Sequence, residues 1–342
     1  MNSKKYILLG YVGSGDITES DVKKLTHINI AFGGLHSDGT VSGADHDKVK
    51  KIPLMKQWNP DIKVLLSFVG APGEGNSFSI CSADPGLRKK TAENMAKLCM
   101  ETGLDGIDLD WEFPCVPSNG CDTTPADRDN FTLLCREIRN ALDRLPGERK
   151  MLTVAAGADV YYVHCTDLPA LAEILDHICL MTYDLKCGFH ALAGHHTALY
   201  CNVGDVFRNS CDQALTLFNN AGVPRNKLLM GCAFYSRKWT EIQDRNHGLL
   251  QICKYGGGYG PDYGELSTEY VNKQGFVRYW DDEAKAPYLF DGSTFLSYDD
   301  PQSLKLKAEY VKEKGYAGLF YWEHKCDKTR VLLDTLHHNL FD

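Results

Sequence analysis

The sequence predicts an α/β protein: a (β/α)8 TIM barrel with a small α+β insertion between its seventh and eighth strands. Three observations lead there. Eight short apolar, β-branched runs alternate with helical patterns, as parallel strands joined by crossover helices do. The 342 residues suit one such barrel. The alternation is interrupted once, between runs seven and eight, by a stretch rich in Gly, Tyr and Asp.

The first run, YILLGYV (6–12), follows MNSKK. Its apolar part is short and no small-residue cleavage site follows, so it reads as a strand and not a signal peptide. HINIAF (27–32) and KVLLSFV (63–69) are strands two and three. A helical pattern over 84–102 leads to GIDLDWEF (106–113), the fourth. PADRDNFTLLCREIRNAL puts its apolar residues on one helical face, giving a helix over 126–143 before MLTVAAG (151–157). HICLMTY (177–183), a helix over 205–221 and KLLMGCAFY (227–235) complete seven strands. Residues 240–300 contain the strand-like GFVRYW and YLFDGSTFLSYD and exceed a simple loop, so they form the insertion. Pro301 then opens a helix over 301–314, Gly315 ends it, and AGLFYW (317–322) closes the barrel. The barrel thus comprises 1–239 and 301–342. An open doubly wound sheet is the alternative, but no GxGxxG follows a strand.

The composition is 43% hydrophobic and 24% charged, with a formal net charge of −8. That balance argues against nucleic acid or an anionic membrane as partner. No apolar run approaches membrane-spanning length, and a soluble monomer is expected. Thirteen cysteines include no CxxC pair, and twelve histidines form no HxH or HExxH cluster, so no structural zinc site is expected. His195–His196 reads as a loop detail. Cys179 and Cys232 lie in strand runs as free core thiols. In an oxidising compartment Cys115/Cys121 and Cys187/Cys201, which bracket Gly-containing loops, would form local disulfides.

LDGIDLDWEFP (104–114) carries the chemistry. In a strand, positions two apart share a face, so Ile107, Leu109 and Trp111 occupy one side while Asp108, Asp110 and Glu112 share the other with Gly106. At the C-terminal end of strand four, Glu112 points into the barrel mouth, where such barrels place their active sites. Three readings fit: acids that cap a helix or pair with bases, a DxD site for a divalent cation, or crowded carboxylates that push one pKa up and keep a proton for a leaving group.

DGIDLDWE (105–112) resembles the DxxDxDxE signature of the glycoside hydrolase family 18 chitinases. Further matches follow in order. LLSFVG puts Ser67 at the serine of the family's SxGG motif, although Phe68-Val69-Gly70 departs from its second half. MTYD (181–184) matches the strand-six motif, GCAFYSRKW resembles strand seven with Tyr235 and Arg237, and GLFYWEHKCD resembles the closing GxxxWxxxxD with Trp322. The resemblance runs from about Tyr6 to Asp327, and WDDEAKAPYLF and FLSYDD in 240–300 look like the deep-cleft subgroup, where the insertion walls the cleft.

The resemblance implies hydrolysis of chitin or its oligomers with retention of configuration, no cofactor and no metal, and it favours an extracellular setting. Glu112 would be the general acid and base, Asp110 would orient the substrate's acetamido group, and Asp108 would share a proton with Asp110, with Ser67 bonded to that pair. Tyr183 would donate to the acetamido carbonyl, Asp184 would contact the sugar, and Trp322 would stack beneath it. Tyr11, Phe32, Trp111, Met181 and Tyr235 are the further substrate-binding residues. Arg237 would bind sugar hydroxyls or pair with Asp184. Of Tyr255, Tyr259, Tyr263, Tyr279 and Trp280, most are expected to pack the insertion's own core. An endo-β-N-acetylglucosaminidase or peptidoglycan hydrolase would share the chemistry; a chitin-binding lectin typically loses the glutamate that is present here.

Overall fold

The computed structural model describes residues 6–117, 122–188 and 190–342. Among them the chain forms β1 Ile7–Val12, β2 His27–Leu35, β3 Val41–Ser42, β4 Lys63–Gly70, β5 Gly106–Leu109, β6 Met151–Gly157 and β7 His177–Met181. It continues with β8 Leu228–Ala233, β9 Tyr235–Thr240, β10 Tyr255–Asp262, β11 Val277–Asp281, β12 Ala286–Phe290, β13 Phe295–Ser297 and β14 Gly318–Trp322. β1, β2, β4, β5, β6, β7, β8 and β14 pair in parallel in that order, and β14 returns to β1. The eight strands therefore close into the TIM barrel.

Strand alternation divides the apolar residues. Leu9, Tyr11, Cys179, Leu229 and Phe320, from four strands, meet one another in the barrel interior. Their neighbours Leu8, Val12, Ile28, Ile30, Ile107 and Leu109 belong to the larger core beneath the helices. Each large aliphatic or aromatic side chain so buried contributes about 1.5–3 kcal/mol. Helix ends follow local chemistry: Asp84 caps Pro85–Thr102 by accepting from the Leu87 amide at 2.8 Å, and Gly103 ends it in the left-handed region at φ 75°.

Several boundaries differ from the sequence reading; the second strand, for one, runs on to Leu35, and the sixth stops at Met181. The helix expected over 205–221 runs Cys211–Asn220, because Asp205 turns the chain by accepting from the Phe207 amide and Ser210 supplies the cap. The fourth strand ends at Leu109, although the Asp110 amide still donates to the Phe68 carbonyl at 2.9 Å. The seventh ends at Ala233. Phe234 bonds across to Trp322 and Tyr263, and Tyr235 opens a second sheet. That antiparallel sheet, ordered β10-β9-β13-β12-β11, has its own core of Trp239, Tyr288, Phe290 and Phe295. Cys187 and Cys201 are free thiols, not the expected pair; the Cys201 thiol donates to Gln213 at 3.2 Å instead. Cys121 lies outside the described residues, while Cys179 and Cys232 are buried and free as expected. Among the described residues no helix is long and apolar enough to cross a membrane.

A buried ion pair ties these parts together. Lys307, on the helix Pro301–Lys314, is fully buried and donates to Asp299 at 2.7 Å and Thr197 at 2.8 Å. Asp299 also accepts from the Ala233 amide at the end of β8. Removing one partner leaves a buried charge uncompensated. Lys307→Met is expected to lower stability by about 3–5 kcal/mol in urea unfolding, and Lys307→Met with Asp299→Leu to recover most of that loss. Equal destabilisation by the single and double variants would contradict this role.

Candidate active site

The parallel register aligns Ser67 on β4, Asp108 on β5 and Thr153 on β6. Asp108 has no exposed surface, and hydroxyls occupy both its oxygens. Tyr11 Oη donates to Oδ2 at 2.8 Å, Ser67 Oγ to Oδ2 at 2.7 Å, and Thr153 Oγ1 to Oδ1 at 2.6 Å. Burial raises its pKa, and the bonds from Thr153, Ser67 and Tyr11 pull it back toward the ionised form. Ser67 thus bonds Asp108, where the expectation had it serving the Asp108–Asp110 pair.

Asp110, next up the same face, is buried, and its Oδ1 has no hydrogen-bond partner among the described residues. Burial, then the charges of Glu112 and Asp108, hold its pKa well above the carboxylate range. Glu112 stands at the mouth. Its side chain is open to solvent, yet the surrounding protein desolvates the carboxyl, and this with the charge of Asp184 raises its pKa. Tyr183 lies among the acids; burial first, then Asp110, Glu112 and Asp184, keep its phenol protonated. The ring fits because Gly231 faces it: a Cβ there would meet Tyr183 Cε1 at 2.8 Å.

Opposite lies an aromatic floor. Trp322 stacks on Phe32 with centroids 5.5 Å apart and meets Tyr11 at 5.8 Å, and Met181 packs against the same interior cluster. The peptide bonds Ala31–Phe32, within β2, Glu112–Phe113, just beyond β5, and Trp322–Glu323, at the end of β14, are cis.

Asp184, at the left-handed φ of 56°, is held from several sides. Tyr235 Oη donates to it at 2.7 Å and Arg237 Nε at 2.6 Å, while its own amide donates to His196 Nδ1 at 3.3 Å. Burial opposes ionisation, but His196 and Arg237 outweigh it and hold the carboxyl below the usual range. Of the two readings for Arg237, the pair with Asp184 is the one formed. Its guanidinium also covers the Tyr259 ring at 3.9 Å and donates to the Gly257 carbonyl at 2.9 Å.

Trp111 is not in this group. It is 3% exposed, stacked on Phe78 at 5.5 Å with its edge to Phe131 at 5.4 Å, on the strand face opposite the acids. Strand alternation already assigned it there. Three neighbours of the site escaped the sequence reading. Thr153 was legible in principle, one strand over from Asp108 in register. Tyr161 carries no motif. His196, read as a loop detail, is buried beside Asp184 and bonded through its amide to Ser297 Oγ at 2.9 Å. Tyr263 does pack as core, whereas Tyr259 is 67% exposed next to Tyr235. Among the described residues no group of three or more His, Cys, Asp or Glu is arranged to hold a metal ion.

Comparison with known proteins bears on this arrangement. Chitinase A1 of Niallia circulans is 33% identical over 328 residues, covering 90% of this chain but 46% of that protein. An endochitinase of Manduca sexta is 28% identical, covering 96% of this chain and 64% of its own length. The chain thus spans about half to two thirds of these curated relatives. Among solved structures, a glycoside hydrolase family 18 N-acetylglucosaminidase from Paenibacillus barengoltzii superposes with a TM-score of 0.94 at 46% identity, covering 98% of this chain and all of that one. The Ostrinia furnacalis Group IV chitinase in complex with allosamidin superposes at 0.88, with 25% identity and 98% of each chain covered. The profile of glycosyl hydrolases family 18 matches residues 7–327, and the chain belongs to that family.

Proposed function

We propose that the protein hydrolyses β-1,4-linked N-acetylglucosamine chains with retention of configuration, through participation of the substrate's own acetamido group. One observation carries the reading: Asp110 Oδ1 is buried and unpartnered between two further acids, above a carboxylate held by three hydroxyls. A carboxyl protonated on one oxygen still accepts on the other, so Oδ1 fits an acetamido N–H. Family membership supports the same chemistry, in which no second enzymic carboxylate attacks the sugar.

The steps then balance. Glu112, its pKa raised by desolvation and by Asp184, gives its proton to the glycosidic oxygen as that bond breaks. The acetamido carbonyl oxygen forms a bond to the anomeric carbon from the opposite side, giving an oxazolinium ion. Tyr183 donates to that oxygen, and Asp110 accepts from the acetamido nitrogen through its unprotonated oxygen. Water attacks next, ceding a proton to Glu112, and the two inversions leave the configuration unchanged. Trp322 stacks under the reacting ring while Phe32, Tyr11 and Met181 border it. Asp184, fixed by Tyr235, Arg237 and His196, meets the sugar's hydroxyls. The second sheet, from Tyr235 to Ser297, forms one wall of the cleft.

A second reading concerns where the chain is cut. Release of single N-acetylglucosamine units is favoured by the likeness to the Paenibacillus barengoltzii N-acetylglucosaminidase, 46% identical and covered in full. Products of chitotetraose over time separate the two: accumulation of chitobiose supports chitinase action, and monosaccharide from the first minutes supports the second reading.

Glu112→Gln deletes the proton and keeps the shape. It is expected to lower kcat by about 10²- to 10⁴-fold while oligosaccharide binding by calorimetry persists; turnover at the wild-type rate would overturn the assignment. Asp184→Asn tests the charge that raises Glu112. Removing it, and freeing Arg237, favours the ionised form, so the alkaline limb of the kcat/KM profile is expected to move to lower pH. A limb that stays, or moves upward, would contradict the coupling.

A further inference from the structure

One hydroxyl near the barrel mouth has no role in the chemistry above. Tyr161 belongs to the short helix Val160–His164 that follows β6, and Asp159, which caps that helix, accepts from Asn209 at 3.3 Å. The Tyr161 ring packs on Phe113, the residue next to Glu112, with centroids 5.3 Å apart. The approach depends on a glycine. A Cβ on Gly157, the last residue of β6, would meet Tyr161 Oη at 2.4 Å and the Phe113 ring at 3.1 Å. The bare backbone at this strand end thus lets the phenol lie across it. The side chain is only partly buried. Burial, then the charges of Glu112 and Asp159, raise its pKa, so it remains a neutral donor and acceptor at every working pH.

Its place in the barrel fixes what it faces. β6 lies between β5, which leads to Glu112, and β7, which leads to Asp184. Counting round the ring of eight, β6 is four strands from β1. The aromatic floor of Tyr11, Phe32 and Trp322 belongs to β1 and its two neighbours. The phenol therefore stands on the wall opposite the floor, next to the acid that protonates the departing oxygen. In the proposed hydrolysis such a place suits a contact to the unit beyond the scissile bond better than one to the sugar stacked on Trp322.

We infer that Tyr161 is a specificity residue for the leaving-group sugar, its hydroxyl hydrogen-bonding the unit that departs on the proton of Glu112. This rests on the proposed hydrolysis of N-acetylglucosamine chains and adds a ligand contact on the departing side. A partly exposed phenol against a bare strand end suits a sugar, whose hydroxyl meets the Oη while its apolar face lies along the ring.

Tyr161→Phe keeps the ring and its packing on Phe113 and removes only the oxygen. Two substrate sets isolate the departing side: chitobiose and chitotriose, which leave as sugars, and the 4-nitrophenyl glycosides of N-acetylglucosamine and chitobiose, followed by nitrophenol release. The variant is expected to lose about 3- to 10-fold in kcat/KM on the oligosaccharides, the worth of one neutral hydrogen bond, and less than 2-fold on nitrophenol release. The pH profile and thermal midpoint should stay with the wild type, because the hydroxyl holds a sugar and not a proton. Equal losses on both sets, no loss on either, or a moved pH profile would overturn the inference. A wild-type protein inactive on every one of these substrates would instead overturn the proposed hydrolysis itself.

Discussion

Three carboxylates on one face of one strand repel each other, and the protein resolves that repulsion unequally. Asp108 is the fixed point. Buried without a basic partner, it is satisfied by hydroxyls from Tyr11, Ser67 and Thr153, one from each of three other strands. Those bonds offset part of the burial that raises its pKa; burial, then the charges of Glu112 and Asp108, raise that of Asp110, which has less help. The same crowding reaches Glu112 from the side of Asp184. One interaction, negative charge placed beside desolvated acid, thus grades the acids from the barrel interior to its mouth.

The barrel makes that grading possible because parallel register is rigid. Ser67, Asp108 and Thr153 lie side by side as Cα partners, so slipping any strand by one residue would turn a donor outward and leave a bare buried charge. Holding them in place is the core beneath the helices, together with the Lys307–Asp299 pair that joins a helix, the end of β8 and the loop carrying Thr197. The second sheet supplies what the barrel lacks. Arg237 on β9 neutralises Asp184, and Ser297 on β13 fixes the backbone of His196. Asp184 is therefore the group through which barrel and second sheet act on one another.

Much of this was legible because period-two alternation and a dense motif are local properties. The eight strand runs, the shared face of the acids and the helix ends at Pro301 and Gly315 all follow from neighbours in sequence. What escaped depends on distant pairings. His196 meets Asp184 because the Leu185 amide donates to the His196 carbonyl at 3.0 Å, a pairing that no spacing announces. Tyr259 stays exposed under the Arg237 guanidinium, whereas Tyr263, four residues on, is core. The Trp111 assignment failed for the opposite reason: membership in a motif was allowed to outweigh an alternation that had placed the ring among Phe78 and Phe131. Cysteine spacing around a loop likewise carried no information on whether Cys187 and Cys201 approach each other.

The most direct test is to watch the middle acid titrate. Carboxyl ¹³C resonances of aspartate-labelled protein, with Asp110 assigned by loss of its signal in Asp110→Asn, report which acid carries the proton. The account predicts that Asp110 ionises at a clearly higher pH than an ordinary aspartate. A midpoint near the usual value of about 3.9 would contradict it, since all three acids would then be charged together in the resting site.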